Sequence, residues 1–329
     1  MQALLNIGVI GLGVMGQRML ERLQGHERLR VVAVWDANPA AIAKALARWP
    51  QLPIATSAES LIRRPGLHGL YIATPPAAHM PLSEQAFDAG LAVFCEKPLT
   101  TDFDAGLAAI ERIKVTGQRA AVNFALASSA GLALLQTTFG AASHMPMGAL
   151  REVELELAFS AWPRPWQADA GAWLSERREG GFTREVLSHF IFVLQRVLGP
   201  AKVQARRVSY PDDGRGAETL LRAELLAGGV PVRISGRVEP SVEMPDRNRM
   251  LWRTAEGEIE LRQWFTEIEQ RRSDSLQPQL PPDPVALRVA AQADQLQQWA
   301  AMIDGQSHSL PGYAESLSVQ QTIEDLLKE

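Results

Sequence analysis

The sequence predicts an α/β protein, with a doubly wound parallel sheet at the amino terminus followed by an α+β domain on an open, mostly antiparallel sheet. Three observations carry this expectation. From Leu4 to Asn123 short apolar runs alternate with longer amphipathic segments, and beyond Asn123 the texture changes, with apolar and charged residues alternating one by one at Arg151–Ser160. The chain has 329 residues, which fits about two domains, and the change of texture divides it into 1–123 and 124–329.

In the first part, Leu5–Ile10, Val31–Trp35, Leu70–Ala73, Leu91–Cys95 and Arg119–Asn123 read as strands of a buried parallel sheet. Right-handed crossovers make it a sheet of about six strands, with a crevice at the carboxyl ends where the strand order reverses. The runs leading to Thr74 and Glu96 count as the fourth and fifth. Helix starts are signalled by Pro39 in a first turn, by Thr56-x-x-Glu59 as a capping box and by Thr101-x-x-Asp104. In the second part a helix is expected at Ala130–Phe139. Strands follow at Arg151–Ser160, Lys202–Tyr210, Thr219–Leu226, Val232–Val238, Arg247–Thr254 and Glu258–Trp264. A Pro-rich connector from Gln277 leads into helices at Val285–Ile303 and Ala314–Leu327, the last of which could join either domain.

Composition excludes several classes of function. A hydrophobic share of 46% with 21% charged residues argues against disorder, and a net charge of −4 offers no cationic excess for nucleic acid or an anionic membrane. No apolar stretch is long enough to span a bilayer, and the first residues lack the marks of a secretory signal. The single cysteine, Cys95, excludes an intrachain disulfide and a CxxC metal pair, so a reducing, cytoplasmic location is expected.

Gly11-Leu-Gly13-Val14-Met15-Gly16 follows the first apolar run directly and opens an amphipathic segment. That context fits GxGxxG: the first glycine for a tight turn, the second for close approach of a pyrophosphate, the third for packing the helix on its strand. The helix N-terminus then faces the anion. Asp36 ends the second run, where a carboxylate accepts from ribose hydroxyls and repels a 2′-phosphate, so a Rossmann domain binding NAD is expected, with NADP as the alternative. The competing role of Asp36 is a turn or cap residue before Asn38-Pro39.

Two further motifs end runs at the carboxyl edge: Thr74-Pro75-Pro76-Ala-Ala-His79 and Cys95-Glu96-Lys97-Pro98. With the glycine motif and a β-rich second part, the chain resembles the glucose-fructose oxidoreductase/inositol dehydrogenase (Gfo/Idh/MocA) family. The resemblance implies cofactor contacts from Thr74, Pro75, His79, Glu96 and Lys97, and a cis peptide before Pro98. It makes Lys97 the acid/base on the substrate hydroxyl or carbonyl. It extends to Gly180-Gly181-Phe-Thr-Arg-Glu185-Val-Leu-Ser-His189, where Glu185 and His189, four apart on a helical pattern, form a pair able to relay a proton. Departures from the family pattern stand at Glu185, Leu187, Phe192 and Ala125, and they suggest a pocket poorer in polar contacts.

Trp162, Trp166 and Trp173 lie in one loop segment, as pocket walls, core or interface anchors, and Trp166 is taken as a substrate contact. Arg164 reads as a solvated loop arginine, with contact to a substrate carboxylate as the alternative, Arg271-Arg272 as a solvated face and Cys95 as a small core residue. No metal site is expected, and His144 with Met145 and Met147 is set aside for want of further ligands.

The expected activity is NAD(P)-dependent interconversion of a secondary alcohol and a ketone on a small, sugar-like substrate, with Lys97, His189 and Glu185 as the catalytic set. The alternatives are a non-catalytic NAD-binding sensor or regulator, and a reductase of conjugated or imine-type substrates. The resemblance also implies a homo-oligomer, a dimer or tetramer.

Overall fold

A computed structural model describes residues 3–140, 147–241, 246–272 and 283–328. The chain forms two compact units, 1–127 with 292–317, and 128–291 with 318–329.

In the first unit, β1 (Leu5–Ile10), β2 (Leu29–Trp35), β3 (Gly69–Ile72), β4 (Ala92–Glu96) and β5 (Ala120–Asn123) pair in parallel in the order β2-β1-β3-β4-β5. The expectation of about six strands is corrected to five among the described residues. The segment between β2 and β3 adds only an isolated bridge, Val34 to Ile54. Pro50 and Pro53 lack the N–H groups a ladder needs, so no strand grows there. Thr74 and Glu96 therefore end the third and fourth strands. The order reverses between β1 and β3, which opens the crevice at their carboxyl ends.

The helices α1 (Val14–Leu23), α2 (Pro39–Arg48), α3 (Ala58–Ile62), α4 (His79–Asp88) and α5 (Phe103–Thr116) connect these strands. Their caps differ in detail from the sequence expectation. At α3 the reciprocal capping pair is Ser57 and Ser60, not Thr56 and Glu59, and at α5 Asp102 accepts from the Asp104 and Ala105 amides, displacing Thr101. In both cases a short side chain one residue on has the reach to bond the free amides. The core takes in residues from beyond the Pro-rich segment. Trp299 packs against Tyr71 and Phe94 with ring centroids 6.0 and 5.3 Å away, and Leu296, Met302 and Ile303 join the same cluster. Residues 292–317 thus belong to the first unit.

Among the described residues the second unit contains a sheet of seven strands: β6 (Leu150–Phe159), β7 (Ala201–Ser209), β8 (Leu220–Ala227), β9 (Val230–Val238), β10 (Asp246–Thr254), β11 (Gly257–Arg262) and β12 (Glu267–Arg272). Their order is β12-β11-β10-β6-β9-β8-β7, antiparallel except for the parallel pair β6 and β9. Along β6, Val153, Leu155 and Leu157 are buried while Glu152 and Glu154 meet Arg253 at 2.6 and 2.9 Å on the other face. Against the cost of burial, Arg253 and Arg233 hold the Glu154 carboxyl below its usual range. Strand β12 was not expected from sequence. Its run Glu267-Ile-Glu-Gln-Arg-Arg272 is polar on both faces, as an edge strand can be. Arg271 there pairs with Glu258 and Glu269.

Helix α6 (Ala130–Phe139) appears as expected, and a π-helical turn at Thr183–Leu187 runs into α7 (Ser188–Leu198). The carboxy-terminal helices are α8 (Pro284–Ile303) and α9 (Tyr313–Leu327). Residues Gln277–Pro282 of the connector, and His144 with Met145, lie outside the described residues.

Candidate functional site

The three glycines after β1 have three different environments. A Cβ on Gly11, whose φ is +95°, would lie 2.4 Å from the Ala73 carbonyl group, and one on Gly16 would lie 1.9 Å from the Gly11 oxygen. Both must be glycine for the fold itself. A Cβ on Gly13 would meet nothing within 4 Å. Gly13 is also the N-cap of α1, with no side-chain cap and no acidic residue in the first turn. The first turn of α1 thus has open space at Gly13 and no side-chain cap at the positive end of the helix. Such a helix end can cradle a phosphate group.

Asp36 stands beside this turn. Its Oδ2 accepts from the Leu12 amide at 2.6 Å and its Oδ1 from the Asn38 amide at 2.7 Å. The carboxylate thus fixes both loops while keeping lone pairs for hydroxyl donors, since two oxygens offer about four acceptor sites. Beyond β3, Thr74 Oγ1 is buried with no hydrogen-bond partner, and Pro75 is exposed. An orphaned hydroxyl at the rim of the cradle fits a polar ligand there.

His79 is fully buried. Its Nδ1 lies 2.9 Å from the Pro98 oxygen and its Nε2 2.9 Å from the Thr74 oxygen, and burial lowers its pKa. Both nitrogens face carbonyl oxygens, and the one N–H of the neutral ring donates to one of them, so the ring sits between the turn after β3 and the turn after β4. Lys97 is half-buried at the end of β4, and the bond to Pro98 is cis. Glu96 is 5% exposed and bonded to the Tyr71 hydroxyl. Asn123 Nδ2 donates to Glu96 Oε1 at 2.8 Å, and Gln295 Nε2 donates to Asn123 Oδ1 at 2.8 Å. Burial pushes the Glu96 carboxyl up, against the pull of these donors. This network sets the backbone from which Lys97 projects. Sequence reading named Glu96 without Tyr71 or Gln295, although a tyrosine in a fully buried strand signals a polar partner.

In the second unit, Glu185 falls in the π turn and His189 in the first turn of α7, not on one continuous α-helix as the periodicity predicts. The Gly180-Gly181 pair has a local cause. A Cβ at Gly180 would strike the Leu174 oxygen at 2.2 Å, and one at Gly181, φ +98°, would strike Glu218 Oε2 at 2.1 Å. Glu218 is 1% exposed and accepts from the Thr183 amide at 2.7 Å, which caps the turn, while burial raises its pKa.

His189 is 7% exposed and meets Trp264 edge-on, with ring centroids 5.4 Å apart and planes at 73°. Trp264 was expected at the end of a strand. Instead β11 stops at Arg262, and Gln263, Trp264 and Phe265 take φ of 49°, 58° and 63°. Three successive left-handed residues without glycine cost about 1–2 kcal/mol each. The Asn248 side chain holds the turn by accepting from the Trp264 amide at 2.6 Å, and Phe265 is buried. Strain of this kind gathers at functional sites, and no sequence signal marks it here.

Other expectations are corrected. Leu187, at the end of the π turn, and Phe192, in α7, are both 0% exposed and pack in the core. Arg164 is not solvated: it is 6% exposed and pairs with Asp246 at 3.1 Å. Trp162 anchors the loop, its Nε1 donating to the Leu174 oxygen at 2.9 Å, whereas Trp166 is 44% exposed above Arg164. Cys95 is a buried core residue, as the sequence predicts. Among the described residues no cluster of three potential metal ligands occurs, and no helix is long and apolar enough to cross a membrane.

Residues 5–124 match the family model Gfo/Idh/MocA, described as an oxidoreductase family with an NAD-binding Rossmann fold. Inositol 2-dehydrogenase from Corynebacterium glutamicum (strain R) is 32% identical over 108 residues, covering 32% of this chain and 32% of that protein. The match thus spans about a third of the curated relative's length. Two solved structures share the fold over nearly the whole chain. An oxidoreductase from Agrobacterium radiobacter, in complex with NAD+, L-tartaric acid and magnesium, aligns with a TM-score of 0.79 at 15% identity, covering 97% of this chain and 94% of that one. A putative NADPH-dependent oxidoreductase from Desulfitobacterium hafniense aligns with a TM-score of 0.82 at 16% identity, covering 99% and 95%.

Proposed function

We propose that this protein, whose residues 5–124 match the Gfo/Idh/MocA oxidoreductase family with its NAD-binding Rossmann fold, is an NAD-dependent dehydrogenase that interconverts a secondary alcohol and a ketone on a small polyhydroxylated substrate. The observation that carries this reading is the open Gly13 position at the first turn of α1, together with Lys97 at the carboxyl end of β4 in the same sheet. Bound NAD supplies the hydride acceptor or donor. The chain's own residues do the rest. The α1 amides and Gly13 receive the pyrophosphate, Asp36 receives the ribose hydroxyls and disfavours a 2′-phosphate, and Thr74 and Pro75 wall the cradle.

Lys97 takes the hydroxyl proton as the alcohol is oxidised and returns it in reduction. The resemblance that gives Lys97 this role gives His189 and Glu185 that of a proton relay, and Trp264 packs on the imidazole within the second unit. His79 and Glu96 act by holding the two turns in place. Trp166 is a substrate contact on this reading. The named substrate class follows the relative that acts as an inositol 2-dehydrogenase, a cyclic polyol. The enzyme is cytoplasmic and homo-oligomeric in this proposal, which light scattering on the purified protein checks.

The test is a panel of cyclitols, aldoses and hydroxy acids with NAD+, and of their ketones with NADH, followed by absorbance of the reduced nicotinamide. Turnover of at least one polyol is expected. Tight NAD binding with no turnover across the panel would turn the reading toward a sensor.

A further inference from the structure

We infer that the second unit carries a separate anion site for a phosphate-bearing small molecule, in a cleft of about 720 Å³ lined by Arg177, Arg178, Arg184, Tyr210, Arg215 and Lys328. Five cations line this cleft against two carboxylates, Glu176 and Glu324, in a chain whose net charge is −4. The excess is therefore local. A cleft of one sign focuses the field and concentrates counter-ions.

The cleft is built on a fixed frame. Arg184 forms its floor: Nε and Nη2 donate to the two oxygens of Glu324, each at 2.7 Å, and Nη1 donates to the Arg177 and Gly180 oxygens at 2.9 and 3.1 Å. This pairing offsets Glu324, and Glu176 is the other carboxylate in the lining. One rim is a short two-stranded ladder, with Glu176 bridged to Gly216 and the Arg177 amide donating to the Arg215 oxygen at 2.7 Å. Asp213 stiffens its turn by accepting from the Arg215 and Gly216 amides at 2.9 and 2.7 Å. The Arg177 guanidinium stacks 3.7 Å from the centre of the Tyr210 ring, which fixes its plane. Arg178 reaches Glu179 only at 3.9 Å, and Lys328 pairs with Asp325 at the exposed end of α9.

Guanidinium forks match the oxygens of a phosphate group in pairs. A phosphate monoester brings about −1.5 to −2 charges at neutral pH on one small group, which suits the excess here better than a lone carboxylate. None of these residues takes part in the proposed dehydrogenase chemistry, so the inference stands apart from it.

Calorimetric titration of the full chain with inorganic pyrophosphate, in the absence of NAD, tests it. The wild type and Gly13→Ala should both take up pyrophosphate, and added salt should weaken binding. The double variant Arg178→Glu/Arg215→Glu, when combined with Gly13→Ala so that the amino-terminal cradle does not contribute, should lose at least about tenfold in affinity (about 1.4 kcal/mol) with an unchanged melting temperature. Three results would each overturn the inference: no uptake, uptake lost in Gly13→Ala but kept in the double variant, or citrate binding as tightly as pyrophosphate. The second would place the ion in the amino-terminal cradle.

Discussion

Gly13→Ala separates what the fold needs from what a ligand needs. The backbone at Gly13, φ −65° and ψ −164°, suits any residue, and the added methyl meets no atom within 4 Å. Two terms act on stability. Alanine is a poorer N-cap than glycine by roughly 0.5–1 kcal/mol, while loss of glycine's freedom in the unfolded chain returns about 0.4–1 kcal/mol. They cancel to within about 1 kcal/mol, or about 2–4 °C in Tm for a unit of this size. For NAD the same methyl fills the layer in which the pyrophosphate must touch the backbone, and a loss of at least about tenfold in affinity follows, about 1.4 kcal/mol. Gly16→Ala is the contrast. Its Cβ would sit 1.9 Å from the Gly11 oxygen, so the first turn of α1 must shift, and overpacking of this sort costs about 1–3 kcal/mol. Thermal denaturation with calorimetric NAD titration reads both quantities. If Gly13→Ala binds NAD as the wild type does, or melts as low as Gly16→Ala, the cradle is misassigned.

Three other outcomes are expected. Lys97→Met should reduce turnover by roughly a hundredfold or more with NAD affinity retained; near-normal turnover would remove Lys97 from the chemistry. Trp264→Ala should lower kcat by about ten- to a hundredfold through a displaced imidazole, with the circular dichroism spectrum and NAD binding unchanged, and an unaltered kcat would refute its positioning role. Burial raises the Glu218 pKa in the folded protein, so its contribution to stability is present below the ordinary carboxylate range and is lost as pH rises through the raised value. Glu218→Gln should therefore melt higher than the wild type at alkaline pH, the two curves converging in acid, whereas parallel curves would contradict the assignment.

The first sheet was legible because a parallel strand buried on both faces must be apolar along its whole length, as Gly69–Ile72 and Ala92–Glu96 nearly are. The glycine motif was legible for the same kind of reason: Gly11 and Gly16 have no room for a side chain. What escaped depends on contacts distant in sequence. Nothing near Trp299 announces that it packs on Tyr71, and Gln295 reaches Asn123 across 172 positions. The left-handed turn at Gln263–Phe265 escaped because its residues have the composition of a strand, and only Asn248 and the burial of Phe265 hold it. Strand β12 escaped because an edge strand with ion pairs on its surface has no apolar face to read. Arg164 looked solvated because its partner, Asp246, lies far along the chain.

The proposed chemistry is tested most directly by following the transferred hydrogen. A polyol deuterated at its carbinol carbon, incubated with the protein and NAD+, should deliver deuterium to the reduced nicotinamide, as read by mass spectrometry. The label should appear with the wild type and fall to background with Lys97→Met. Bound NAD with no label transferred from any polyol, hydroxy acid or aldose would contradict the assignment of this protein as a dehydrogenase.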